Sequence, residues 1–141
     1  MTAEPPRLVL ASGSATRRTL LEAAGLAFEM IPADVDEAAL RDRLFEDSAS
    51  VSHESVAQAL ADAKAVEVST RVPDALVIGA DQVLSFEGTL FEKPKSVDEA
   101  RAHLRCLRGK THALHAATAL ALGGKVQWQN LETACLTFRA F

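Results

Sequence analysis

The most strand-like run in the chain is Ala75–Ala80 (ALVIGA), and it ends on Asp81. A short apolar segment following the breaker Pro73-Asp74 reads as a buried strand, which Val83–Phe86 continues. An acidic residue at the end of such a strand sits where α/β sheets place ligands. Neighbouring strands and covering helices must come from the rest of the chain.

They are legible. Arg7–Ala11 reads as a short buried strand and Phe28–Ile31 as a second, closed by Pro32. Between them lie a polar loop, Ser12-Gly13-Ser14, and a helix marked by Leu20, Leu21 and Ala24 that stops at Gly25. An acidic stretch, Asp34–Glu37, leads into a short helix with Leu40 and Leu44, and Asp47–Ser52 reads as loop. Ser52 can cap a long helix in which Val56, Leu60 and Ala63 share one face. Glu87-Gly88 reads as a turn, and Ser96 with Glu99 as a capping box for a helix that Gly109 ends. Thr111–Leu122 and Lys125–Phe138 read as two long strands joined by a Gly123-Gly124 hairpin turn. The order βαβ(α)αββαββ predicts an α/β fold with a mixed sheet and flanking helices rather than a regular doubly wound one. At 141 residues a single domain is expected. The last strand has nothing after it to cover its edge, so an incomplete domain is expected.

Composition removes several functions. A net charge of −4 argues against coating nucleic acid or an anionic membrane. Six Phe, one Trp and no Tyr leave little for a base-stacking surface. The longest nearly apolar run, Ala113–Leu122, is shorter than the roughly 20 residues a membrane span needs. Two cysteines, Cys106 and Cys135, and no apolar leader point to a reducing cytoplasm.

Chemistry concentrates at few positions. Ser14 is the expected N-cap of the first helix, which puts Arg17 and Arg18 in its first turn, the wrong end for cations on dipole grounds. An anion such as phosphate, held by both arginines, the hydroxyls and free N–H groups, resolves that conflict; an Arg18–Glu22 pair at i,i+4 is the alternative. Asp81 can hold a divalent metal, take a proton from water, or cap a turn. Asp34, Asp36 and Glu37 are hard-cation ligands or a solvated acidic loop. Lys64 lies about 40° around its helix from Leu60, so it flanks the apolar stripe and either snorkels or reaches into a cleft. Lys93 is fixed in a turn by Pro94. His112 and His115, three apart on a strand, point to opposite faces and cannot easily share a metal. His103 and Cys106 supply only two ligands, too few for structural zinc.

Four segments in series, LVLASGSATRRTLLEAAGLAFE, PADVDE, ESVAQALADAKA and VIGADQVLSFEGTLFEKP, resemble the Maf family of nucleoside triphosphate pyrophosphatases. The resemblance implies an inosine-triphosphate-pyrophosphatase-like fold with two lobes around a nucleotide cleft. It implies hydrolysis of a nucleoside triphosphate, standard or modified, to the monophosphate and pyrophosphate with Mg²⁺ or Mn²⁺. It also implies a cytoplasmic, often dimeric protein of a house-cleaning family named for inhibiting septum formation. By the same resemblance Ser14, Arg17 and Arg18, with Ser12 beside them, bind the triphosphate. Glu37 holds metal, and Asp81 is the general base or alternatively a second metal ligand. Lys64 and Lys93 serve catalysis, and Gln82 bears on base preference, weakly away from the thymidine and uridine group. Family members continue past Phe138, so the resemblance implies a missing C-terminal part. A non-catalytic nucleotide binder or regulatory remnant is the competing expectation.

Overall fold

The computed structural model describes residues 3–47 and 51–141. The first two positions of the polar N-terminus, and positions 48–50 of the expected 47–52 loop, lie outside the described residues. The elements are β1 (Leu8–Leu10), α1 (Ala15–Ala23), β2 (Glu29–Met30), α2 (Glu37–Asp47), α3 (His53–Arg71), β3 (Leu76–Phe86), β4 (Thr89–Phe91), α4 (Val97–Leu107), β5 (Thr111–Leu122) and β6 (Lys125–Thr137). Asp47 belongs to α2 rather than to the loop that follows.

The strands form one sheet in the order β2-β1-β3-β5-β6, with β4 also on β3. β1 runs parallel to β2 and β3, while β4 and β5 run antiparallel to β3, as does β6 to β5. The sheet is therefore mixed, as the element order predicts. β1 pairs with Leu76–Ile78 and β4 with Leu84–Phe86, so among the described residues β3 has a strand neighbour only on its β5 side over the intervening residues. That open stretch contains Asp81. β1, β2 and α1 lie to one side of it in the topology, and β4 and α4 to the other.

α3 is the organising helix. The Ser52 hydroxyl accepts from the Ser55 amide, Arg71 sits in the last turn, and Pro73 prevents continuation. Its buried face carries Val56, Ala57, Leu60, Ala61 and Ala65 against Val83 and the small side chains Ala117, Ala119 and Ala121 of the sheet. Val68 continues the face into a second cluster with Val9, Ala75 and Val77. Burying Val56, Leu60 and Val68 contributes about 1.5–3 kcal/mol each. Alanine on both surfaces lets the helix lie close to the strands. At Gly79 the approach leaves no room for a side chain: a Cβ would stand 2.2 Å from the Ala61 carbonyl oxygen and 2.6 Å from the Ala65 amide nitrogen. A lone glycine inside a strand has that positional meaning.

The other helices cover less. α1 forms as its cap and its Gly25 stop predict, yet it buries no residue and Leu20 is 66% exposed. α4 buries only Leu107. Its cap differs in detail from a capping box. Ser96 accepts from the Glu99 amide, but the Glu99 carboxylate accepts from Lys95 N–H, one residue further back.

Candidate active site

The loop between β1 and α1 is folded by its serines. Ser14 caps α1, its hydroxyl accepting from the Arg17 amide at 3.3 Å. The Ser12 hydroxyl accepts from the Ser14 amide at 3.1 Å and from the Arg17 guanidinium at 3.3 Å. Arg17 is thereby turned back over the loop. Arg18 is not. It pairs with Glu22 at 2.8 Å on the exposed side of α1, the i,i+4 arrangement that competes with joint anion binding. Of the two expected arrangements, Arg17 faces the loop while Arg18 takes the i,i+4 pairing with Glu22.

Lys64 projects from α3 to the open stretch of β3. Its ammonium donates to Asp81 Oδ1 at 2.9 Å and lies 2.6 Å from Glu37 Oε1. The Lys64 and Asp81 side chains are only 14% and 11% exposed, so the snorkelling alternative is excluded for Lys64. Asp81 points to the α3 face of the sheet because it stands in register with Gly79 and Val83, which face the same helix. Burial raises the proton affinity of its carboxyl above the ordinary value, and nearby Glu37 adds to this; the Lys64 hydrogen bond and charge, and Arg17, oppose it. Glu37 opens α2, which Asp36 starts by accepting from the Ala39 amide at 3.0 Å. Asp36 is thus a cap, and Asp34 is fixed through its own amide to Glu67. Of the acidic stretch only Glu37 reaches Lys64. A cavity of about 150 Å³ lies here, lined by Ser12, Gly13, Pro32, Glu37 and Lys64 among others.

Gln82 and Lys93 stand elsewhere. β3 runs unbroken through Asp81, so the next side chain, Gln82, faces the opposite side of the sheet. There it lines a cavity of about 290 Å³ with Lys93, Phe91, His103 and Leu114. The structure therefore assembles Ser12, Arg17, Glu37, Lys64 and Asp81, and keeps Arg18, Gln82 and Lys93 apart from them. The histidines separate as strand geometry requires. His112 packs edge-to-face on Phe138 with ring centroids 4.7 Å apart, while His115 bridges the Ser85 and Thr133 hydroxyls at 2.9 Å each.

The family model for Maf-like proteins matches residues 7–141. The chain belongs to the Maf-like family. It is 50% identical over 133 residues to a 7-methyl-GTP pyrophosphatase of Mesorhizobium japonicum, covering 94% of this chain and 66% of that protein. It is 48% identical over 135 residues to a nucleoside triphosphate pyrophosphatase of Gluconobacter oxydans, covering 95% and 66%. The chain thus spans 66% of the length of these relatives. Among solved structures, a HAM1 protein from Coxiella burnetii has the same fold, with a TM-score of 0.54 at 14% identity over 93% of this chain and 71% of that one.

Two residues of this Maf chain that matter to the site escape the sequence reading. Gly79 sets how close α3 comes to β3, and hence how far Lys64 is from Asp81. Its signal was a lone glycine in a strand pattern. Arg41, one helical turn after Glu37, pairs with Glu92 at 3.1 Å. No local signal marks a contact between residues so distant in sequence.

Proposed function

We propose that this Maf chain hydrolyses a nucleoside triphosphate to the monophosphate and pyrophosphate. The observation that carries the reading is the Lys64 ammonium held between Asp81 and Glu37, beside the loop that aims Arg17 at Ser12. The names of the relatives support it, and several of them are 7-methyl-GTP pyrophosphatases, which makes a methylated guanosine triphosphate the first substrate to test.

In this reading the Ser12 and Ser14 loop, Arg17 and the free amides of the α1 N-terminus receive phosphate oxygens. Arg18 joins them by exchanging its exposed pairing with Glu22, which solvent screens. Asp81 accepts the proton of the attacking water, and its burial suits a base that must hold a proton for part of the cycle. Water oxygen bonds to the α-phosphorus, and the α–β bridging bond breaks to release pyrophosphate. Lys64 keeps Asp81 ionised beforehand and offsets charge on the phosphates as they separate. Lys93 and Gln82 approach from the other face of β3 and serve the phosphates and the base.

The donor set fits a hard divalent cation. Two carboxylates converge on one ammonium, so a positive charge is already accommodated there, and the Ser12 hydroxyl lies near. Among the described residues no group of three or more acidic, His or Cys side chains gathers; Mg²⁺ needs only one or two carboxylates, with phosphate and water completing its shell. Glu37 and Asp81 would hold it, and when bound it supplies charge neutralisation and an activated water. The reading includes the cytoplasm, consistent with two free, exposed cysteines, and a homodimer. Among the described residues no helix is long and apolar enough to cross a membrane.

The test is incubation with Mg²⁺ or Mn²⁺ and a panel of nucleoside triphosphates, 7-methyl-GTP included, with separate detection of pyrophosphate and phosphate. Pyrophosphate as sole inorganic product supports the reading. Nucleotide that raises the melting temperature but is never consumed favours the non-catalytic binder instead.

A further inference from the structure

Helix α2 buries no residue, yet it lines the cavity on the Lys64 side through Glu37 and reaches Glu92, a lining residue of the other cavity, through Arg41. Leu40 and Leu44 pack against the α3 cluster, which fixes how the helix is rotated. Glu37 and Arg41 are one turn apart beside that stripe. Glu37 reaches Lys64 on the Asp81 side. Arg41, only 19% exposed at its side chain, reaches Glu92 at 3.1 Å. Glu92 immediately precedes Lys93-Pro94 and lines the cavity on the Gln82 side. The segment carrying Lys93 follows a three-residue strand, and beyond it Lys95 is tied to α4 through Glu99. Arg41 therefore supplies a tie from the Glu37–Lys64 cluster across the open stretch of β3 to the Lys93 loop.

We infer that Arg41 is a positioning residue: through Glu92 it sets where Lys93 stands relative to Lys64 and Arg17, so that one triphosphate meets cations from both cavities. The inference rests on the pyrophosphatase reading above. Because Glu92 is half exposed, the pair contributes little to the fold itself. Its effect is on placement.

The experiment compares wild type with Arg41→Ala, Arg41→Lys, Glu92→Gln and the double Arg41→Ala/Glu92→Gln variant. It reads KM and kcat for pyrophosphate release, and hydrogen exchange over residues 89–95. Either single loss is expected to raise KM about 10-fold with kcat changed less than about 3-fold, and the double variant to be no worse than either single one. Arg41→Lys is expected to recover most of the KM loss. Exchange over 89–95 is expected to accelerate about 5-fold or more in Arg41→Ala while α3 stays protected. Unchanged KM, or additive effects in the double variant, overturns the inference, as does unchanged exchange over 89–95. If the wild type releases no pyrophosphate from any triphosphate, the functional reading fails, and the exchange result alone decides whether Arg41 holds the loop.

Discussion

Replacing Gly79 by alanine tests whether the site geometry is set by backbone contact. The added Cβ would lie 2.2 Å from Ala61 O, 2.6 Å from Ala65 N and 2.7 Å from Ala65 Cβ. Two of these are backbone atoms of the central helix, so no side-chain tip can swing aside. Carbon contacts settle near 3.5 Å, so α3 must retreat by about 1 Å. Overpacking of this kind costs about 1–3 kcal/mol and more where backbone must move; ~3 kcal/mol is the expected size here. With an unfolding entropy of about 2.1 cal/mol/K per residue over 141 residues, that lowers Tm by roughly 10 °C. The same retreat carries Lys64 away from Asp81, now 2.9 Å apart, beyond hydrogen-bond range. Misplacement of about 1 Å costs on the order of 10²-fold in turnover. Thermal unfolding followed by circular dichroism measures the first effect. Gly13→Ala is the control, because its nearest foreign atom is 3.8 Å away, an ordinary contact. A Gly79→Ala protein melting within about 2 °C of wild type would refute the reasoning, since a shift that small is well under 1 kcal/mol for a chain of this size.

Lys64→Met leaves Asp81 and Glu37 without their shared cation, and breaking a largely buried pair this way is expected to cost about 3 kcal/mol, read as a lower urea midpoint at unchanged m-value. Asp81 holds its proton more tightly in the folded state, chiefly through burial. The folded protein therefore binds more protons than the unfolded chain between the ordinary aspartate range and the raised native value, so this group's contribution to stability falls as pH rises through that window. Wild type minus Asp81→Asn stability, measured by urea titration from pH 4 to 7, should decline with rising pH; a difference that grows instead contradicts the burial argument.

Much of this was legible locally. The caps Ser14, Ser52 and Ser96 could be read because each acts on an amide three residues ahead. The ALVIGA strand and the Gly123-Gly124 hairpin, with φ of 60° and 80°, declare themselves by composition. Lys64 could be placed at the margin of its apolar stripe, but which way it turned depended on Asp81 and Glu37, supplied by two other elements. Arg17 and Arg18 are neighbours with the same chemistry, and their divergence follows from one having Glu22 a turn away. Asp81-Gln82 reads as a single motif. Its two halves face opposite ways because β3 continues straight through it, as the Val83–Phe86 run predicts, and pairing with β5 holds that alternation.

In the proposed reaction Asp81, buried beside Lys64, takes the proton from the water that attacks a nucleoside triphosphate. Pyrophosphate release from 7-methyl-GTP by wild type and Asp81→Asn, with nucleotide binding followed on the same samples, tests it most directly. The expected result is release by wild type and a loss of about 10²-fold or more in Asp81→Asn, at the size of a general-base contribution, with binding kept. An Asp81→Asn protein that still releases pyrophosphate at near wild-type rate would contradict it.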